Sequence, residues 1–455
     1  MRLVVYLLFF SFFLACGSKT TTVWNVKDYG AVGDGETLNT IAIQTAIDAC
    51  AAAGGGKVLL EDGTFLSGTI LLKNGVNLHI AEGATLLAGE NFYDFQTIDP
   101  FVDATGQQRG MCLIGAVDAQ NISITGAGLI NGQGDRFTFS KVNTYLRQND
   151  LPEIEKGTFD RPFLIRLVRS RQINISDIHL RQPAAWTLHL FQCAGFTISG
   201  VDIFSHANAN NDGIDIDSSS DGVINNCTIN TGDDAICFKT TSPVPTQNVR
   251  VRDCQLSSEW GAIKFGTESM GDFHNITVTD CKISDTRGGG IKILSVDGGN
   301  ISDVLLENIE MEQVEMPLFV RLGERLRTYR DAPQQSVGSI EGVTISNLRA
   351  EIRDTSRLKV VPPTGIFITG TKNYSIGSLT LENINIGLPG GGTKTDAVRE
   401  VPENEKQYPE FTLLGPTPAY GLYARHVDTL RIVDVKFMAQ GRDIRPERIL
   451  MDVGQ

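Results

Sequence analysis

The sequence reads DGIDID from Asp212 to Asp217, DDAICFK from Asp233 to Lys239, GAIKFG from Gly261 to Gly266 and GGIKIL from Gly289 to Leu294. In each run two apolar residues alternate with residues of another kind, the pattern of a β-strand with one side buried and the other facing water. Ile214, Ile236, Ile263 and Ile291 follow one another at intervals of 22, 27 and 28 residues. These intervals are too long for tight hairpins and fit strands that recur once per turn of a coil.

A second repeating pattern predicts the corner of each coil. It has the form apolar-x-apolar-x-corner-apolar-x-apolar, and its corner residue is Gly, Asn or Asp. These residues tolerate the left-handed backbone that a sharp turn between two strands requires. The corner residues are Gly126, Asp177, Gly200, Asn226, Asp253, Asp280, Asn308, Asn347, Asn383 and Asp434. One corner per coil predicts a β-solenoid, which is an all-β fold.

Stacking such coils brings the polar residues of successive strands into columns. Neighbouring parallel strands lie roughly 4.8 Å apart, so residues at equivalent positions line one face. The predicted columns are Asp212, Asp234, Gly261 and Gly289; then Asp215, Cys237, Lys264 and Lys292; then Asp217 and Lys239. We therefore expect acids and lysines to share one exposed patch.

Such a patch is compatible with two roles. Like charges at short range raise the pKa of one carboxyl group and nearby lysines lower the pKa of others, which divides the acid and base roles of glycoside hydrolysis. The acids could equally solvate a turn-rich surface or form an ion-pair ladder with the lysines. Spacing and charge alone leave both roles open.

Three motifs resemble those of glycoside hydrolase family 28, the polygalacturonases. Asn210 to Asp215 (NNDGID) is similar to the family's Asn-Thr-Asp-Gly-Ile-Asp motif, Gly232-Asp233-Asp234 to its Gly-Asp-Asp, and Ile291-Lys292 to the end of its Arg-Ile-Lys. The resemblance extends from about Val23 to about Gln440, which is nearly the whole of the expected mature chain. It implies a single-stranded right-handed parallel β-helix that hydrolyses pectin backbones or related chains with inversion.

The resemblance also implies roles for individual residues. Asp233 would be the general acid, and Asp212 and Asp234 would position and deprotonate the attacking water. Lys292 would bind a substrate carboxylate, with Lys264 as a helper.

The sequence departs from the family pattern at two places. The family's Gly-His-Gly motif corresponds to Trp260-Gly261-Ala262, which has no histidine, and the arginine of Arg-Ile-Lys corresponds to Gly290. Either Arg287 or Lys264 could restore the missing positive charge. Hydrolysis is therefore a safer prediction than galacturonate as the substrate.

Further candidates for substrate contact flank these motifs. They are Asn211, Asp215, Lys239, Arg287, His189, Trp260 and Arg321. His189 could instead be a residue with a local hydrogen bond, and Trp260 could stack on a sugar ring or simply cover a strand edge.

The N-terminal part of the sequence predicts a cap and an export signal. Residues 39–53 fit an amphipathic helix, and the resemblance implies that this helix covers the open end of the coils. Residues 1–15 read as a signal peptide, and Leu14-Ala15-Cys16 resembles the cleavage box of bacterial lipoproteins, in which Cys16 becomes the lipidated N-terminus. The expected organisation is a signal peptide (1–15), a short tether (16–22) and one β-helix domain (23–455). The mature protein would be lipid-anchored in the bacterial cell envelope, facing the periplasm or the cell surface.

Composition limits the class of partner. The chain has 455 residues and a formal net charge of −13, which argues against a nucleic acid partner because phosphate binding needs a basic face. Seven cysteines remain besides Cys16, an odd number that does not form a complete disulfide framework. Cys227, Cys254 and Cys281 occupy one repeat position, which favours an inward ladder of small side chains. Neither a cofactor nor a metal is expected, and we expect a monomer.

Three segments lack the repeating pattern. Residues 92–110 and 134–161 are interpreted as loops that project from the coils and shape a binding cleft, and residues 387–416 as an excursion from the coils.

The sequence predicts an inverting glycoside hydrolase that acts on a pectic or other uronate-containing polysaccharide or oligosaccharide. A β-elimination lyase on the same fold would use a lysine or arginine base beside calcium-binding acids. A non-catalytic carbohydrate-binding solenoid would explain the missing histidine and arginine.

Overall fold

The computed structural model describes residues 22–353 and 355–454, and these residues form one right-handed parallel β-helix. Each coil contributes a strand to each of up to three parallel sheets, and nearly all pairings join strands of successive coils. The predicted Cys16 lies outside the described residues. None of the helices in the described ranges has the length and apolar character of a membrane-spanning segment.

The first sheet, called the site sheet below, runs the length of the molecule and contains the four runs that open the sequence analysis. Its strands are β5 (Ile70–Leu71), β9 (Gln108–Val117), β12 (Phe163–Val168), β15 (Leu188–Phe191), β18 (Ile214–Asp217), β21 (Ile236–Thr240), β24 (Ile263–Ser269), β26 (Ile291–Ser295), β28 (Leu318–Leu322), β30 (Ile366–Thr369), the start of β32 (Leu422–Ala439) and β33 (Arg448–Val453).

The second sheet follows the site sheet in each coil. It comprises β1 (Val23–Asn25), β3 (Gly56–Leu60), β6 (Val76–Ile80), β10 (Gln120–Thr125), β13 (Arg171–Ser176), β16 (Ala194–Ser199), β19 (Ser220–Asn225), β22 (Thr246–Arg252), β25 (Phe273–Ser284), β27 (Ile301–Val314), β29 (Ile340–Ile352), β31 (Ile376–Leu388) and the rest of β32.

The third sheet lies beyond the predicted corner. It comprises β2 (Asp34–Leu38), β4 (Thr64–Ser67), β7 (Thr85–Ala88), β11 (Leu129–Asn131), β14 (His179–Arg181), β17 (Asp202–Ser205), β20 (Thr228–Thr231) and β23 (Gln255–Ser258). From β25 onwards the second and third strands of a coil are continuous around the corner.

The structure confirms the predicted corners. All ten corner residues have a positive φ, from 48° at Asp434 to 109° at Gly126. The amide of Asn308 donates to Asp280 (3.0 Å), that of Asn347 to Asn308 (3.1 Å) and that of Asn383 to Asn347 (2.8 Å). A ladder of side-chain hydrogen bonds therefore joins four successive corners.

The interior of the coils is apolar, and its ends are closed. Cys227, Cys254 and Cys281 are buried in the core as free cysteines, which confirms the inward ladder. The predicted helix is α1 (Thr40–Ala52), and it buries Ile43 and Ile47 in the core next to the first coils. It covers the apolar end that the first coil would otherwise expose.

Two of the three segments without a repeat are more regular than the loops we expected. Residues 92–110 contain a 3-10 turn (Phe92–Asp94) and β8 (Gln96–Val102), which pairs antiparallel with β9. Residues 134–161 contain α2 (Phe139–Gln148) and two 3-10 turns (Gly134–Arg136 and Lys156–Thr158). The 387–416 excursion contains the short helices α3 (Lys394–Ala397) and α4 (Phe411–Leu414). Further 3-10 turns span Val26–Tyr29 and Thr355–Arg357.

The corner ladder makes a stability prediction at Asn347. The change Asn347→Val places a β-branched residue at a φ of 51° and removes three hydrogen bonds of the side-chain amide, so we expect a loss of about 2 kcal/mol in the free energy of unfolding. Asn347→Gly is the control, because glycine keeps the left-handed backbone and loses only the amide. Chemical denaturation measures both, and equal losses for the two variants would contradict the backbone argument.

Candidate active site

The site sheet has the predicted register. Asp215, Cys237, Lys264 and Lys292 are paired in β18, β21, β24 and β26, and Asp217 is paired with Lys239. Just before these strands, Gly213 N donates to Asp234 O, Ala235 N to Gly261 O and Ala262 N to Gly289 O. The first predicted column, from Asp212 to Gly289, is therefore confirmed.

The expected exposure of these columns is wrong. Asp212, Asp234, Lys264 and Lys292 are each at most 3% exposed. The side of the site sheet that faces away from the core is covered by other parts of the chain, among them residues 103–105, Trp186 and Tyr408. The alternating pattern distinguishes the two sides of a strand but carries no information on what covers the outer side.

The three predicted catalytic acids meet in one small pocket. Carboxylate oxygens of Asp212 and Asp234 and the sulfur of Cys237 lie within 4.8 Å of one another. Asp233 is half-buried, and its Oδ1 accepts a hydrogen bond from Asp234 N (3.0 Å). All three acids line a cavity of about 30 Å³, which has room for water.

Three lysines pair with the acids of this pocket. Lys239 Nζ lies 3.4 Å from Asp212, 3.5 Å from Asp215 and 3.4 Å from Glu268. The ammonium group of Lys239 also lies over the ring of Trp186 at 4.4 Å. Glu268 in turn accepts a hydrogen bond from Ala104 N (2.9 Å), which fixes the 103–105 loop above the pocket.

The other two lysines share Asp234 and Glu410. Lys264 Nζ lies 2.8 Å from Asp234 and 3.7 Å from Glu410. Lys292 Nζ lies 3.0 Å from Oε1 and 3.1 Å from Oε2 of Glu410 and 3.9 Å from Asp234. The second oxygen of Asp234 accepts from Gly261 N (3.1 Å).

The environment moves the pKa values of these acids in opposite directions. Burial, reinforced by Asp212 and Asp234, raises the pKa of Asp233 well above its usual range. Burial and the neighbouring Asp215 raise the pKa of Asp212 in the same way. Burial also disfavours ionisation of Asp234, but Lys264, Lys292 and Lys239 outweigh it and hold its pKa below the usual value. The pocket therefore places a protonated acid beside an ionised one.

Comparison with known proteins identifies the family. The model of glycosyl hydrolases family 28 matches residues 66–407, which is most of the chain. The chain belongs to this family.

Individual relatives match at moderate identity. The exo-poly-alpha-D-galacturonosidase of Dickeya chrysanthemi is 30% identical over 262 residues, which cover 49% of this chain and 43% of that protein. A probable polygalacturonase of Vitis vinifera is 30% identical over 231 residues, covering 48% of this chain and 44% of that protein. This chain thus spans less than half the length of either relative. The structure of the family 28 exopolygalacturonase of Yersinia enterocolitica has a TM-score of 0.72 at 20% identity, covering 95% of this chain and 78% of that one, which indicates a shared fold.

The family departure at Gly261 has a steric explanation. A Cβ atom at this position would lie 2.7 Å from Asp234 Oδ1 and 2.7 Å from Lys292 Cε. The side chain of Lys292 therefore passes next to position 261, where the family has a histidine. A side chain at position 261 would displace both Lys292 and Asp234. At Gly290 a Cβ atom would meet Met311, a core residue, so a side chain at 290 would not point into the pocket.

Several predicted substrate contacts lie away from the pocket. His189 is fully buried among Trp186, Phe163 and Phe101, with Nε2 3.2 Å from Asp217. His189 does not line the cavity of the three acids.

Arg321 and Asn211 are also enclosed. Arg321 donates to Thr369 (3.2 Å) and to the carbonyl of Glu403 (2.7 Å), and Asn211 donates to Ser205 O (2.7 Å). Both side chains support neighbouring backbone rather than the cavity, so the substrate contact that we expected of them has no support in this geometry.

Trp260 and Arg287 lie at the border of the site. Trp260 Nε1 donates to Glu410 (3.1 Å), and Lys359 Nζ lies 3.4 Å from the centre of its ring. Arg287 pairs with Glu259 at 2.9 Å, with both side chains partly exposed. Arg287 therefore does not supply the missing charge inside the pocket.

Sequence reasoning missed Glu410 and Glu268. Glu410 is 118 residues from Lys292, in the excursion that interrupts the coils, so no repeat could have aligned the two. Glu268 lies near the end of the same strand as Lys264, beyond a shift in the register between β21 and β24, so extending the register past Gly266 would not have placed it beside Lys239.

Asp215 gives a prediction for the pH dependence of stability. It is fully buried, neither carboxylate oxygen has a hydrogen-bond partner, and burial raises its pKa from 3.8 to about 7. Between about pH 4 and pH 7 the folded state then holds a proton that the unfolded state releases, so this residue makes the protein less stable as the pH rises. We expect Asp215→Asn to gain stability relative to the wild type across this range, on the order of a few kcal/mol. Denaturation at several pH values measures it, and parallel curves for the two proteins would contradict it.

Proposed function

We propose that the protein is a polygalacturonase-like glycoside hydrolase that cleaves a pectic chain by a single inverting displacement. The observation that carries this proposal is the pairing in one pocket of Asp233, whose pKa is raised, with Asp234, whose pKa is lowered. Glycoside hydrolysis needs one carboxylic acid to protonate the leaving oxygen and one carboxylate to activate water.

The proposed step uses all three acids. Asp233 donates its proton to the glycosidic oxygen as the bond to the anomeric carbon breaks. Asp234 takes a proton from the water that attacks the opposite face of that carbon, while Asp212 orients the water. Afterwards Asp233 is ionised and Asp234 is protonated, and proton exchange with solvent restores the starting state.

The state of the lysines favours hydrolysis over β-elimination. A lyase would need a neutral lysine to remove a proton from the sugar. Lys239 and Lys264 are buried, which disfavours their charge, yet the surrounding acidic groups outweigh burial and raise the pKa of both ammonium groups. Lys239 lies beside Asp212 and Lys264 lies beside Asp234, at the positions that a calcium ion bound to these acids would take. These lysines are poor bases, and they compete with calcium for the acids.

The assignment of the acid is tested by Asp233→Asn. Asparagine keeps the size of the side chain and cannot donate the proton, so we expect the release of reducing ends from a panel of pectic polysaccharides to fall at least about 100-fold. Asp253→Asn is the matched control, because this exposed corner position tolerates asparagine as Asn226 does one coil earlier. Full activity of Asp233→Asn would refute the acid assignment, and tight binding of an uncut polysaccharide by the wild type would favour the non-catalytic alternative.

We also propose that the protein is exported and lipid-anchored through Cys16, on the support of the Leu14-Ala15-Cys16 motif. Cys16→Ala should move the protein from the membrane fraction to the soluble fraction, since the thiol that carries the lipid is lost. Ser18→Ala is the control. Equal membrane association of Cys16→Ala and the wild type would contradict the anchor.

A further inference from the structure

We infer that Glu410 takes the place of a substrate carboxylate at Lys264 and Lys292, so that the sugar bound next to these lysines is uncharged. This inference rests on the proposed hydrolysis and concerns the sugar bound beside the pocket of the three acids, which Lys264 lines and which Lys292 and Glu410 adjoin. It makes Glu410 a specificity-determining residue.

Glu410 makes the contacts expected of a bound carboxylate. Both of its oxygens lie within 3.1 Å of Lys292 Nζ, and Oε1 also accepts from Trp260 Nε1 (3.1 Å) and lies 3.7 Å from Lys264 Nζ. Glu410 is 3% exposed and Lys292 is fully buried. Two cations and an indole N–H thus surround a carboxylate that the chain itself supplies.

The segment that carries Glu410 is anchored on both sides. The next residue, Phe411, is 1% exposed and packs against Phe319 with ring centres 6.0 Å apart. Leu414 is buried in the same apolar cluster. On the other side, the hydroxyl of Tyr408 accepts from Thr267 (3.1 Å). Displacing Glu410 would expose this apolar cluster, so we treat its carboxylate as a fixed part of the site.

The two lysines that a uronate would meet are already paired with carboxylates of the protein. Lys264 is paired with Asp234, and Lys292 is paired with Glu410. A sugar carboxylate brought to this position would meet two carboxylates of the protein at short range. Like-charge contact of this kind rejects a ligand more strongly than the loss of a favourable contact does.

The glycine at 261 fits the same arrangement. The side chain of Lys292 passes where a side chain at 261 would stand, and it continues to Glu410. The missing histidine and the internal carboxylate are therefore two parts of one altered subsite.

The inferred substrate is a pectic chain with an uncharged residue at this position. Two kinds of sugar residue would be uncharged at this position. One is a neutral sugar between uronates, and the other is a uronate whose carboxylate is methyl-esterified. Activity on three substrates distinguishes them, namely polygalacturonate, its methyl-esterified form and a backbone in which uronate alternates with a neutral sugar.

The experiment measures kcat/KM of the wild type, Glu410→Gln, Glu410→Asp and Glu403→Gln on these substrates. We expect the wild type to prefer an uncharged substrate over polygalacturonate. Glu410→Gln removes the internal charge and should shift this ratio toward polygalacturonate by about tenfold or more, chiefly through a lower KM. Glu410→Asp should keep the preference. Glu403→Gln is the matched control, because Glu403 lies in the same excursion and pairs with Arg425 instead (2.9 Å).

Two results would overturn the inference while leaving the proposed hydrolysis intact. The first is that the wild type cleaves polygalacturonate at least as well as both uncharged substrates. This measurement does not require the Glu410→Gln variant to fold. The second is a folded Glu410→Gln variant with an unchanged substrate ratio. Full activity of Asp233→Asn would refute the catalytic assignment alone, whereas no cleavage of any substrate by the wild type would overturn both proposals.

Discussion

The left-handed residue at each corner is the constraint on which the remaining structure depends. It turns the chain from the second sheet to the third at a fixed point in each coil, so successive coils keep the same register. The hydrogen-bonded side chains of Asp280, Asn308, Asn347 and Asn383 hold four of these corners together. A register shift of one residue would turn Asp215, Lys264 and Lys292 into the core and bring the isoleucines out, which the burial of both faces makes costly.

Because of this register, many ionisable side chains lie on strands of the site sheet that other parts of the chain cover. Burying one carboxylate without a partner is expensive, and burying several is tolerated only when cations and protons balance them. Here lysines balance some acids, while the raised pKa values of Asp212, Asp215 and Asp233 indicate that others keep their protons. The conditions that keep the pocket electrically balanced thus also supply a proton donor next to an ionised carboxylate.

The sequence was sufficient for everything that the repeat determines. The ten corners, the columns of the site sheet, the cysteine ladder and the helix at the first coil all follow from local spacing and residue type. It was not sufficient for what covers the site sheet, because β8, the 103–105 loop and the Glu410 segment contact it through tertiary packing with no period. For that reason the sequence left His189 and Arg321, which lie on the correct strands, as candidates for substrate contact, and the structure encloses both. Nothing in the sequence pattern indicated that Glu410 would contact both Lys264 and Lys292.

Glu410 belongs to an excursion between two coils and not to the coils themselves. An insertion at a coil junction can be lengthened, shortened or exchanged without altering the register of the strands on either side. The proposed catalytic acids are positioned by the stacked coils, whereas Glu410, the proposed specificity-determining residue, belongs to an insertion that can be replaced. In a scaffold of this kind, a new substrate preference can arise from changes in one insertion while the acids of the pocket keep their positions.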